Sequence, residues 1–270
     1  VPTERTHHGD TVIDEYAWLI NKDDPDTISY LEAENAFTEQ ATAHLDALRE
    51  TIFKEIKDRT LETDLSVPTR KGAWWYYSRT EEGKQYGIQC RVAASGEAPP
   101  QLTPGEPLPG EEILLDGNEL AGDSEFFALG NSTVSPDGTM LAYSTDFSGN
   151  ERFTLRFKNL TTGEVLADEI PDVFYGGAWS GDGSTFFYVK VDEAWRPYQV
   201  YRHVIGTPAA EDVLVYQEDD ERFWVSIGLT RSERYLVLSS GSKITSEVRV
   251  LDAHDPQGEF RLVAPRRTGV

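Results

Sequence analysis

The chain has 270 residues, 39% hydrophobic and 11% aromatic, enough to bury a large core and too apolar for disorder. Its 47 acidic and 25 basic residues give a formal net charge of −22. That balance repels nucleic acid and anionic membranes and favours cationic ligands such as basic peptides.

Apolar runs are strand-sized, so no segment is expected to span a bilayer. The one cysteine, Cys90, cannot form an internal disulfide and reads as a buried, idle thiol. Residues 1–22 read as an irregular, aromatic-containing lead-in. Glu4, Arg5, His7, His8, Asp10, Asp14 and Glu15 deny it a signal peptide's apolar centre, so a cytoplasmic protein is expected. His7, His8 and Asp10 lack the helical spacing of His-Glu-x-x-His, and no second cluster completes a metal site. His44, His203 and His254 stand alone and read as structural.

Asp24-Pro25 starts a helix, because Asp caps free amides and Pro is tolerated in the first turn. Ile28, Leu31 and Phe37 supply its apolar side. A second helical stretch, from about Thr42 to Arg59, repeats Leu45, Leu48, Ile52 and Ile56 at helical spacing. Near Thr69 the period becomes alternating. Ala73 to Ser78 and Tyr86 to Arg91 flank the polar Glu81-Glu82-Gly83-Lys84 as a hairpin. In the run Trp74-Trp75-Tyr76-Tyr77, alternation puts two rings on each face, which favours packing over ligand stacking. Ala94 to Glu112 is a proline-rich loop.

Beyond it a pattern recurs. Ser135-Pro136-Asp137-Gly138 leads into Met140 to Ser144, and Ser180-Gly181-Asp182-Gly183 leads into Phe186 to Val189. A degenerate copy, Thr230-Arg231-Ser232-Glu233, leads into Tyr235 to Ser239. Asp-Gly turns between strands, spaced by about 45–50 residues, signal propeller blades. The fold class is therefore mainly β: a partial β-propeller of about four blades, centred near residues 75–115, 120–168, 170–212 and 213–262. A helical segment, residues 1–70, precedes the propeller at residues 71–270.

The remaining candidate motifs read as scaffold. Ser240-Gly241-Ser242-Lys243 matches Ser-x-x-Lys but follows a strand, where that chemistry needs a helix start. Asp23-Asp24 and Asp219-Asp220 are turn neighbours, not carboxylates facing one bond.

His8-Gly9-Asp10, Asp14 to Leu19 and Tyr30 to Thr38 resemble the opening of a prolyl oligopeptidase-family serine peptidase. Glu62 to Pro68, Tyr76 to Tyr86 and Asp192 to His203 are more similar to its oligopeptidase B (protease II) branch. The resemblance covers essentially the whole chain. It implies an N-terminal helical segment, a seven-bladed propeller and a C-terminal α/β-hydrolase domain that cleaves short peptides after Arg or Lys.

The chain departs from that pattern by lacking Gly-x-Ser-x-Gly, the tight turn that exposes the nucleophile. No residue here receives the family's catalytic Ser, Asp or His, and the chain alone is expected to be inactive. Its expected role is to gate substrate access and dock the absent hydrolase domain. Arg5, Asp10, Tyr16 and Trp18 are the expected docking residues. Expected partners are short basic oligopeptides and that hydrolase domain, with no cofactor, metal, nucleic acid or membrane. The alternative is a non-enzymatic propeller that binds proteins or peptides.

Overall fold

The computed structural model describes residues 2–270. The chain divides into two compact units, Val1–Leu61 and Glu62–Val270.

In the first unit, the lead-in expected to be irregular is a hairpin of β1 (Thr3–His7) and β2 (Asp10–Asp14). Polar and apolar residues do not alternate along it, so its sequence carries no strand signal. His8 and Gly9 make the two-residue turn with φ of 53° and 82°, as a type I′ hairpin requires. Helix α1 (Pro25–Thr42) is capped by Asp24, which accepts from the Asp26 amide at 2.9 Å. A short 3-10 turn separates it from α2 (Asp46–Lys57). The apolar residues that mark both helices, including Phe37, Leu48, Ile52 and Ile56, remain exposed.

The second unit contains four antiparallel blades. The first holds β3 (Thr69–Lys71), β4 (Trp74–Arg79), β5 (Ile88–Ala93) and β6 (Glu112–Asp116). A one-turn helix, α3 (Gly117–Ala121), leads to the second: β7 (Ala128–Val134), β8 (Met140–Asp146), β9 (Phe153–Asn159) and β10 (Val165–Val173). The third comprises β11 (Ala178–Trp179), β12 (Thr185–Val191), β13 (Pro197–Val204) and β14 (Val213–Gln217). The fourth comprises β15 (Trp224–Leu229), β16 (Tyr235–Gly241), β17 (Ser246–Asp252) and β18 (Arg261–Ala264). These are the four blades read from the repeat, except that Val213–Gln217, read with the fourth blade, closes the third because β14 pairs with β13.

Blades two and three share one ladder, a feature the repeat does not reveal. Strand β11 covers only two residues of β12, so the end of β10 takes the freed edge, pairing Val173 with Lys190.

The recurring turn has one hydrogen-bond design. Ser135 and Ser180 donate to Asp137 and Asp182 at 2.5 Å and accept from the amides of Met140 and Thr185 at 2.9 and 3.0 Å. Thr230 replaces the serine in the degenerate copy and accepts from the Tyr235 amide at 3.1 Å. Gly138 and Gly183 take φ of 78° and 70°, and Glu233 takes 57° at the same place. A side chain in that left-handed region costs about 1–2 kcal/mol.

Blades stack by burying rings and aliphatic side chains. Phe157, Trp179 and Phe186 meet edge to face, centroids 5.1–5.7 Å apart, between blades two and three. Phe187, Val189 and Val200 meet Val225, Leu236 and Leu238 between blades three and four. Trp75 and Tyr77 are buried, while Trp74 carries the Arg91 guanidinium 3.8 Å above its ring. The aromatic run is thus packing, as its alternation indicates.

Polar clasps cross the same seams. His203 is fully buried, its Nδ1 2.7 Å from Asp212 and its Nε2 3.1 Å from Asp168, with its ring stacked on Phe157. Asp168 belongs to β10 and His203 to β13, so the clasp pins blade two to blade three. Arg266 reaches Glu218 and lies 3.2 Å from Glu247, joining the segment after β18 to both the third and fourth blades. Burial pushes the Glu218 carboxyl up, but Arg266 and Ser240 outweigh it and hold the group at about 2.

Two expectations follow from these clasps. Replacing His203 with Ala leaves the buried Asp168 and Asp212 carboxylates to the Gly206 amide and the Tyr188 hydroxyl, and chemical denaturation should show a loss of about 3 kcal/mol. Because the folded Glu218 titrates below its ordinary value, its pairing stabilises the fold above pH about 4.5 and fades towards pH 2. Thermal melts across that window should fall less steeply in Arg266→Met than in the parent.

Candidate functional site

Among the residues read as docking candidates, Arg5 sits on β1 opposite Val12 and pairs with Asp14 at 3.2 Å. Tyr16 follows the hairpin, its amide bonded to Asp14 at 2.9 Å and its ring exposed. Arg5 and Tyr16 line one shallow hollow of about 490 Å³ with Val12 and Ile13. Asp10 lies apart, at the hairpin turn opposite His7. Trp18 turns towards α1, its ring meeting Tyr30 edge-on at 5.5 Å. The structure therefore brings together two of the four.

Within the propeller unit, the first strands of the blades draw together, with β11 approaching β7 on one side and β15 on the other. Two hollows lie in this unit. One, about 530 Å³, lies between the first two blades and is lined by Thr69, Lys71, Tyr76, Gln89, Ser132 and Val134. The other, about 360 Å³, lies among the recurring turns and is lined by Pro136, Gly181, Glu233, Arg234, Asp252 and His254. Two carbonyls of β7 are engaged by side chains of neighbouring blades. Trp179 Nε1 donates to Thr133 O and Lys71 Nζ to Val134 O, each at 2.8 Å.

The opposite end of the blades is aromatic. Phe153, Tyr175, Phe174, Trp195 and Trp224 form a chain of ring contacts at 4.8–6.4 Å. Tyr86, Phe127 and Phe147 form a second, at 5.0 and 5.5 Å. Phe126, Phe147, Tyr175 and Trp224 are about 40–50% exposed there, a grouping typical of interaction surfaces. Phe126, Phe147 and Tyr175 lie in three separate loops, 123–127, 147–152 and 174–177, and Trp224 opens β15, so the grouping gives no periodic signal in the sequence.

The decoy motifs fall where the sequence places them. Ser240 ends β16 and donates to Glu218 at 2.6 Å, and Ser242 closes a turn onto Thr245. Asp220 pairs with its neighbour Arg222 at 2.7 Å. No group of three or more His, Cys, Asp or Glu able to hold a metal occurs among the described residues. No helix is long and apolar enough to cross a membrane.

Comparison with known proteins gives the architecture its place. Residues 1–270 match the family model described as "Prolyl oligopeptidase, N-terminal beta-propeller domain". The chain belongs to the prolyl oligopeptidase family. It is 38% identical to dipeptidyl aminopeptidase BI of Pseudoxanthomonas mexicana, across 97% of this chain and 37% of that protein. Protease 2 of Moraxella lacunata is 34% identical, across 100% of this chain and 39% of the relative. Oligopeptidase B from Trypanosoma brucei, in a closed form with covalently bound antipain, superposes with a TM-score of 0.86 at 31% identity. That match covers 100% of this chain and 39% of the other. Oligopeptidase B from Leishmania major gives the same TM-score at 30% identity, covering 96% and 36%. The chain thus spans well under half the length of the relatives it matches, and the resemblance to the oligopeptidase B branch holds throughout it.

This propeller keeps its one thiol out of play. Cys90 lies on β5 under Tyr77 and Ile88, and burial, then the Glu111 carboxylate, pushes the thiol up to about 12. Tyr77 donates to that carboxylate at 2.6 Å. A thiol-labelling reagent at pH 8 should therefore modify the native protein far more slowly than the unfolded one. Equal rates in the two states would contradict this burial.

Proposed function

We propose that this chain is the N-terminal and propeller portion of an oligopeptidase B-like serine peptidase that cleaves short peptides after Arg or Lys. The observation that carries this reading is the end-to-end likeness to oligopeptidase B at a TM-score of 0.86, without the nucleophile pentad of a hydrolase domain. The net charge of −22 supports it, because a field of that sign concentrates cationic peptides. A closed propeller ring leaves a central channel, and gating of access to it is the role we assign to this portion.

Residues 1–70 then dock the hydrolase domain, with Arg5, Asp10, Tyr16 and Trp18 among the contacts. The exposed apolar residues of both helices support this, since an uncovered helical face needs a partner. The aromatic blade end is the propeller's own contribution to the same docking. A hydrolase partner, basic oligopeptide substrates and a cytoplasmic setting complete the proposal.

One comparison favours a second reading. The 38% identical relative is a dipeptidyl aminopeptidase, which would release dipeptides from a free amino terminus. Fluorogenic peptides given to the longer protein distinguish the two. Acylated substrates ending in Arg or Lys should be cleaved with kcat/KM at least about ten-fold above Pro or Ala counterparts. Cleavage confined to free amino termini supports the dipeptidyl reading, and preference for Pro overturns the basic specificity.

A further inference from the structure

Glu233 is anomalous twice over. It occupies the turn position that belongs to glycine in the two sister turns, holding φ at 57° where Gly138 and Gly183 hold 78° and 70°. Glycine would fit there without strain, so the carboxylate side chain is retained against a local cost. Its carboxylate also reaches out of its own blade, lying 3.6 Å from Lys71 Nζ on β3. Lys71 is held from behind by its 2.8 Å hydrogen bond to the Val134 carbonyl on β7.

The pair thus joins blade one to blade four, which do not stack on each other. The His203 and Arg266 clasps, by contrast, pin neighbouring blades along buried seams. Lys71 lines the hollow between the first two blades, and Glu233 lines the hollow among the recurring turns. Their ion pair therefore links the walls of two hollows.

We propose that Lys71 and Glu233 form a latch between blade one and blade four, and that it opens when a competing cation takes the Glu233 carboxylate. The two side chains are 31% and 41% exposed. An ion pair this accessible is weak and screened by salt, so it can be exchanged without disturbing the packed core. Opening frees the Glu233 carboxylate, the feature a guanidinium or ammonium side chain would seek.

Hydrogen–deuterium exchange tests the latch without relying on peptidase activity. In Glu233→Gly, amides of residues 69–72 should exchange at least about three-fold faster, while the melting midpoint holds or rises. The charge swap Lys71→Glu with Glu233→Lys should return exchange towards the parent rate. Arginine amide should accelerate exchange at 69–72 in the parent and have no such effect in Glu233→Gly. Unchanged exchange in Glu233→Gly, failure of the swap to restore it, or equal acceleration by arginine amide in both proteins would overturn the proposal.

Discussion

Everything in the propeller unit depends on a sheet having two faces. A four-stranded blade with apolar side chains on both sides cannot satisfy itself, and only another sheet offers a matching flat surface. Strands β8 and β12 show the result, because consecutive residues along each are buried regardless of which face they point to. Stacking in turn draws the first strands of successive blades together. The Ser-x-Asp-Gly turns serve the same end by folding a tight hairpin where neighbouring blades crowd.

Burying apolar area draws blades together without specifying how they align, since that force has no direction. Alignment comes from groups that tolerate one geometry. His203 meets acids on both ring nitrogens only if β10, β13 and the approach to β14 are in register. Arg266 similarly requires the chain after β18 to return over Phe223, where its guanidinium lies 3.9 Å above the ring. These side chains fix register along the stack.

The blades were legible in the sequence because their signal is local. A serine, an aspartate and a glycine within four residues determine a turn, and the strand-length apolar runs that follow determine the strands. Even the copy ending in Glu233 keeps enough of the design to be read. The His203 clasp was not legible in the same way. The residue reads as isolated because its partners, Asp168 and Asp212, lie 35 and 9 positions away on other strands. The hairpin of residues 3–14 escaped for another reason: it lies on a surface with no apolar face to mark the period. At the candidate surfaces the limits are similar. Arg5 and Tyr16 share a hollow because the hairpin folds back, and the aromatic blade end collects rings from four separate loops.

The engaged Val134 carbonyl has a consequence for any extended peptide that reaches β7. An open sheet edge offers backbone groups to any extended polypeptide, which can then add as a further strand. Lys71, from a neighbouring blade, occupies the Val134 acceptor on the free edge of β7 and so denies that rung to a guest. A strand edge is the structure most prone to capture unfolded peptide, yet at this point it is passivated against templating an aggregate.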